Sequence, residues 1–120
     1  MSNVGRPKKK RKIQKMPKTL QFSPRGKAGR PEEVVISLDE FEAVKLADYQ
    51  GLDQENGAKA MGISRPSFGR IIRGARKKIA QALVDGKIIR ISGGAVHVLS
   101  LSEDNISLQV VSKRLDYESL

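Results

Sequence analysis

The side chains best suited to chemistry lie between Ser64 and Lys78. This stretch carries Arg65, Arg70, Arg73, Arg76, Lys77 and Lys78, with no acid among them, and two hydroxyls at Ser64 and Ser67. Such groups donate hydrogen bonds to fixed acceptors, and they break no bond without a base or nucleophile beside them. Arginine can bridge O6 and N7 of guanine, the commonest specific contact in the major groove. Cations farther along such a helix meet phosphates, which position a protein without reading sequence. The spacing therefore assigns base contacts to Arg65, Ser67 and Arg70, and phosphate contacts to Ser64, Arg73, Arg76, Lys77 and Lys78. Free amides at a helix start can hold a phosphate as well.

These residues need a helix to carry them. Ser64 is a helix cap, Pro66 suits the first turn where its missing N–H costs nothing, and Gly86 closes the run. Between them Phe68, Ile71, Ile72, Ala75, Ile79, Ala82 and Leu83 give one apolar seam, so the spacing predicts a recognition helix over 64–85. Arg65, Ser67, Gly69, Arg70 and Arg73 are expected on its outer side. A second helix is expected from a cap at Asp53 to Met61, although Asn56 and Gly57 are poor helix formers. Gly62-Ile63-Ser64 reads as the turn between the two, with Ala58 as the small residue that lets them cross and Ile63 as an apolar plug. A first helix follows the capping box of Ser37 and Glu40. Its stripe is Leu38, Phe41, Val44, Leu46 and Ala47, with Glu42 and Lys45 pointing elsewhere and Gly51 as its end.

Charge divides the chain further. Residues 1–31 hold 11 basic side chains and no acid, residues 32–94 hold 10 basic and 9 acidic ones, and residues 95–120 hold 2 and 4. The expected organisation is a basic, largely extended or disordered arm over 1–31, a helix-turn-helix domain over 32–94 and a short β-rich tail over 95–120. In the arm, Arg6, Lys8, Lys9, Lys10, Arg11 and Lys12 form the densest cluster. Gly5-Arg6-Pro7 and Gly29-Arg30-Pro31 have the form of minor-groove tripeptides, though added phosphate affinity is the commoner use of such an arm. A short extended piece near Thr19–Phe22 is expected to dock on the domain. Ile88–Ile91, Val96–Leu101 and Ile106–Val111 read as short strands. The fold class is thus mainly α: a three-helix helix-turn-helix core with a basic N-terminal arm and a small C-terminal β segment.

Other chemistry finds little support. The chain has no cysteine and one histidine, His97, in a strand pattern. That removes disulfides, thiolate metal sites and thiol nucleophiles. Asp39, Glu40 and Glu42 do not converge on one face at their spacing, and acids favour helix starts in any case. No enzyme, cofactor or metal is expected. A net charge of +10 suits a polyanion, and no apolar run is long enough to span a membrane. The expected location is cytoplasmic and nucleoid-associated.

The segment from Gly51-Leu52-Asp53 through Met61-Gly62-Ile63-Ser64-Arg65-Pro66-Ser67-Phe68-Gly69-Arg70-Ile71 resembles the helix-turn-helix of sigma factor region four. With Gly5-Arg6-Pro7, Leu38-Asp39-Glu40-Phe41-Glu42-Ala43 and Ile91-Ser92-Gly93-Gly94, the stretch over about 5–94 resembles an uncharacterised prokaryotic family of small predicted DNA-binding proteins. The resemblance implies a sigma-like fold and a regulatory role. The leading expectation is sequence-specific binding of double-stranded DNA by a transcriptional regulator. One alternative is an RNA-binding or ribosome-associated protein, against which the 4% aromatic content weighs. Another is a protein-interaction module that meets RNA polymerase or other transcription machinery. A homodimer through the C-terminal strands would lengthen the DNA site.

Overall fold

The computed structural model describes residues 10–26, 29 and 31–99. Among these residues five short strands and three helices run in the order β1 (Arg11–Ile13), β2 (Gln21–Phe22), β3 (Glu33–Ile36), α1 (Leu38–Val44), α2 (Gln54–Met61), α3 (Arg65–Asp85), β4 (Ile88–Ile91) and β5 (Val96–Val98). A π-helical turn over Lys45–Tyr49 prolongs α1.

Local rules explain the helix boundaries. At α1 the Ser37 hydroxyl accepts from the Glu40 amide at 3.3 Å, while the Ser37 amide donates to Glu40 Oε1 at 2.9 Å. Two otherwise orphaned N–H groups are satisfied reciprocally. Asp53 accepts from the Asn56 amide at 2.8 Å and Ser64 from the Ser67 amide at 3.2 Å, so each of the later helices has its own cap. Gly62 ends α2 at φ 68°, and Gly86 ends α3 at φ 66°. Both lie in the left-handed region that glycine enters without steric cost.

The β component is larger than a C-terminal segment. β4 is the centre of a three-stranded sheet, parallel to β3 and antiparallel to β2, and β5 pairs in parallel with β1. Three of the five strands thus precede the helices, and the pairing crosses the boundaries drawn at 31 and 94. Arg11 faces Val96 in register, and Ile36 faces Ile91. Strand β4 is paired on both edges within the chain and β5 on one, by β1. The expected strand at 106–111 lies outside the described residues.

Two apolar clusters meet at α1. Ile13, Met16, Leu38, Ile91, Val96 and Val98 pack on the strand side. Ala43, Leu46, Ala58, Met61, Phe68 and Ile72 pack between the helices. The seam of α3 holds at Phe68, Ile72, Ala75 and Ala82, but Leu83 is exposed. It stands eleven residues after the buried Ile72 and so shares its face, but it lies near the C-terminal end of α3, where that face is left open. The helical spacing turns Glu42 away from the apolar stripe, yet it is 2% exposed. The reason is non-local: the chain after β1 covers that side of α1, and the Gln14 amide donates to Glu42 Oε2 at 3.3 Å. Lys45 Nζ lies 3.2 Å from Oε1 without forming a directed hydrogen bond there.

Gly57 and Gly69 also differ from expectation. Neither is a weak or outward position, for both are buried. A Cβ on Gly57 would lie 2.6 Å from Phe68 Cζ, so the absence of a side chain is what lets the ring sit against α2. A Cβ on Gly69 would meet Gln54 Oε1 at 3.3 Å and Arg73 Nη1 at 3.5 Å.

Candidate nucleic-acid interface

The helix period sorts the cations of α3. Arg70, Arg73 and Lys77 stand at i, i+3 and i+7, a spacing that shares one face, and all three are exposed. Arg65, at the start of the helix, is exposed too. Near that start the hydroxyls form a short chain. Ser64 Oγ and Ser67 Oγ are 2.9 Å apart, and Arg70 Nη2 donates to Ser67 Oγ at 3.1 Å. The structure therefore brings Ser64, Ser67 and Arg70 together directly.

Arg76 and Lys78 turn to the two flanks of this face. Arg76 grips Asp48 with both ends of its fork, Nε to Oδ2 at 3.1 Å and Nη2 to Oδ1 at 2.8 Å. The hydrogen bond from Arg76 holds the Asp48 carboxyl below its usual range, against a slight opposing effect of burial. The pair is intact at neutral pH, and what it adds to stability is lost only as the pH falls through that lowered value. Lys78 Nζ donates to Glu40 Oε1 at 2.9 Å and Oε2 at 3.0 Å, on a carboxylate that also serves the α1 cap. Both partners lie far back in the sequence, which is why spacing along α3 could not reveal them.

The basic arm is divided by the structure. Arg6, Lys8 and Lys9 lie outside the described residues, as does Arg30. Lys10 is exposed. Arg11 is not a free arm cation: its guanidinium lies 3.6 Å from Asp39, and both side chains are largely buried. Lys12 lies over the α2–α3 turn, where a Cβ on Gly62 would meet its Cδ and Cε at 3.3 Å. β1 thus delivers a lysine to the turn that precedes Arg65. No reading of the arm as a separate segment contains this contact.

Among the described residues no cluster of His, Asp and Glu could hold a metal ion, and no helix is long and apolar enough to cross a membrane.

The family description "Protein of unknown function DUF134" matches residues 1–99. The match runs past Gly94 and takes in β5. The chain is similar to a UPF0251 protein of Prosthecochloris aestuarii, 47% identical over 96 residues that cover 79% of this chain and 62% of that protein. It is similar to another of Desulforudis audaxviator, 50% identical over 95 residues covering 76% of this chain and 60% of that one. A third, from Halothermothrix orenii, is 45% identical over 92 residues covering 76% and 68%. The chain thus spans about three fifths of the length of the first two relatives. No solved structure matches it. By a match that takes in every described strand and helix, the chain belongs to the uncharacterised family DUF134, which includes the UPF0251 proteins.

Proposed function

We propose that this chain binds double-stranded DNA sequence-specifically and regulates transcription. In this reading α2, the Gly62-Ile63-Ser64 turn and α3 act as a helix-turn-helix of the sigma region four kind, with α3 in the major groove. The observation that carries it is the exposed Arg65 and Arg70, with the half-buried Ser67 bonded to Arg70, at the N-terminal end of a capped 21-residue helix whose opposite seam is buried. A helix presented in that way can lay its first residues on base edges. Arg73 and Lys77 continue the same face toward the phosphates. Lys78, held on a carboxylate that also caps α1, serves the fold instead. Lys12 beside the turn supplies a phosphate contact from the strand side. The test is selection from a random duplex pool at near-physiological salt. An enriched motif supports the proposal, and a palindromic one adds a dimer. Preference for single-stranded RNA over every duplex overturns it.

Arg76 can join this surface if it leaves Asp48. An ion pair with both side chains about half exposed is worth about 0–1 kcal/mol. Asp48→Asn removes the competitor and one negative charge. The expected result is duplex binding tighter by up to about fivefold, since the gain is bounded by what the pair is worth. Titration of labelled duplex by fluorescence anisotropy measures it, and a weaker complex would show that Asp48 itself supports the interface.

Removal of residues 1–9 is the proper truncation, because a cut at 12 would also destroy β1. It deletes three cations, Arg6, Lys8 and Lys9. If all three meet phosphates, the slope of log K against log salt falls by up to about 3, equally for preferred and scrambled duplexes. A loss confined to A·T-rich duplexes would instead assign Arg6 to the minor groove.

A further inference from the structure

Most of the chain's few aromatic side chains gather at one place that the duplex-binding proposal does not use. A groove of about 670 Å³ opens between the chain that follows β1 and the outer side of α1 with its π-helical turn. Its lining includes Phe22, Phe41, Tyr49 and three lysines, Lys15, Lys18 and Lys45, with no carboxylate and no residue of α2 or α3. Only 4% of the chain is aromatic. Among the described residues the one other aromatic side chain is Phe68, sealed in the helical core. Three converging on one groove is therefore a concentrated feature. Phe22 is 52% exposed and Tyr49 86% exposed, so both side chains are accessible to a ligand.

Charge defines that ligand further. Lys45 is partly neutralised from beneath by the buried Glu42, which does not itself line the groove. Lys15 and Lys18 are exposed and make no ion pair among the described residues. Rings offer stacking surface, and two uncompensated ammonium groups offer donors to an anion. The volume lies within the range of small-molecule sites.

We propose that this groove binds a small planar anion, a ring system bearing a carboxylate or a phosphate. The ring stacks on Tyr49 and Phe22, and the acid group meets Lys15 and Lys18. The turn that carries Tyr49 also carries Asp48 and, through it, holds Arg76. The proposal stands apart from the duplex-binding reading and needs no DNA for its test.

The test is isothermal titration of the full 120-residue chain with adenosine monophosphate, guanosine monophosphate, salicylate and indole-3-acetate. Adenosine, indole, inorganic phosphate and a single-stranded thymidine oligomer are run alongside. One ring-bearing anion is expected to bind with one-to-one saturation, more tightly than its neutral counterpart and than phosphate. The two nucleotides against the two carboxylates distinguish the sources of the anion. Tyr49→Ala is expected to weaken that binding about tenfold, as removal of a stacking platform does. The exposed pair Lys15→Ala/Lys18→Ala is expected to weaken it similarly while leaving the fold's far-ultraviolet circular dichroism unchanged. Absence of saturable binding by all four anions at millimolar concentration overturns the proposal. So does binding of phosphate as tight as that of any ring-bearing anion, binding that survives both variants, or tighter binding of the thymidine oligomer.

Discussion

Replacing Arg65 and Arg70 together by alanine is expected to weaken the preferred duplex by about 2–6 kcal/mol, with a far smaller loss on a scrambled one. Each good arginine–guanine contact is worth about 1–3 kcal/mol of discrimination. The two residues are five apart on α3, which puts them on different sides of the helix, so their losses should add to a first approximation. Both side chains are exposed and neither joins either apolar cluster, so the fold should survive. Arg70 is already oriented by its bond to Ser67 Oγ at 3.1 Å, which lowers the ordering cost of a base contact. The comparison pair is Arg73→Ala/Lys77→Ala, expected to weaken all duplexes alike and to flatten the salt dependence by about 2 in slope. Anisotropy titrations on the selected and scrambled duplexes separate the two patterns. Equal losses on both duplexes from the Arg65/Arg70 variant would reduce α3 to a phosphate contact, and unchanged binding would remove α3 from the interface altogether.

The parts of this fold governed by near neighbours in the chain are the parts its sequence displays. The caps at Ser37, Asp53 and Ser64 and the left-handed glycines at 62 and 86 each follow from a few adjacent residues. So does the cluster of cations on α3. The strands β1 and β2 are different, because two or three residues give no alternation to read and their partners are distant. Arg11 pairs with Val96 and Gln21 with Arg90. The burial of Glu42 depends on Gln14, and the flanking of Arg76 and Lys78 depends on Asp48 and Glu40, all far away in sequence. Hence the candidate site was legible as a set of residue types, and the division between free and paired cations was not. The aromatic groove is hidden in the sequence for the same reason. Phe22, Phe41 and Tyr49 are scattered along the chain and line one groove only once the segment after β1 has folded beside α1.

Gly57 shows how strongly tertiary packing can overturn a local rule, and the rule predicts the opposite sign. In an exposed helix Gly→Ala stabilises by about 1 kcal/mol. Here the new Cβ would stand 2.6 Å from Phe68 Cζ and 2.8 Å from Cε1. The ring is fully buried and cannot swing outward without leaving the core. Overpacking of a tight core costs about 1–3 kcal/mol and occasionally more. With contacts this short the cost should exceed the propensity gain, so Gly57→Ala is expected to destabilise by about 2 kcal/mol. In a domain of this size that lowers the melting midpoint by about 8–16 °C. A second substitution identifies the cause. Phe68→Leu removes the outermost ring atoms and is itself destabilising, but in its presence the Gly57→Ala cost should largely vanish. Thermal unfolding of the two single variants and the double should therefore reveal a favourable coupling of about 1 kcal/mol or more. Strict additivity would mean that α2 shifts aside without engaging the ring. A Gly57→Ala variant more stable than the parent would mean that α2 and α3 cross farther apart than the structure places them, which would also move Ser64 and Arg65 relative to Lys12.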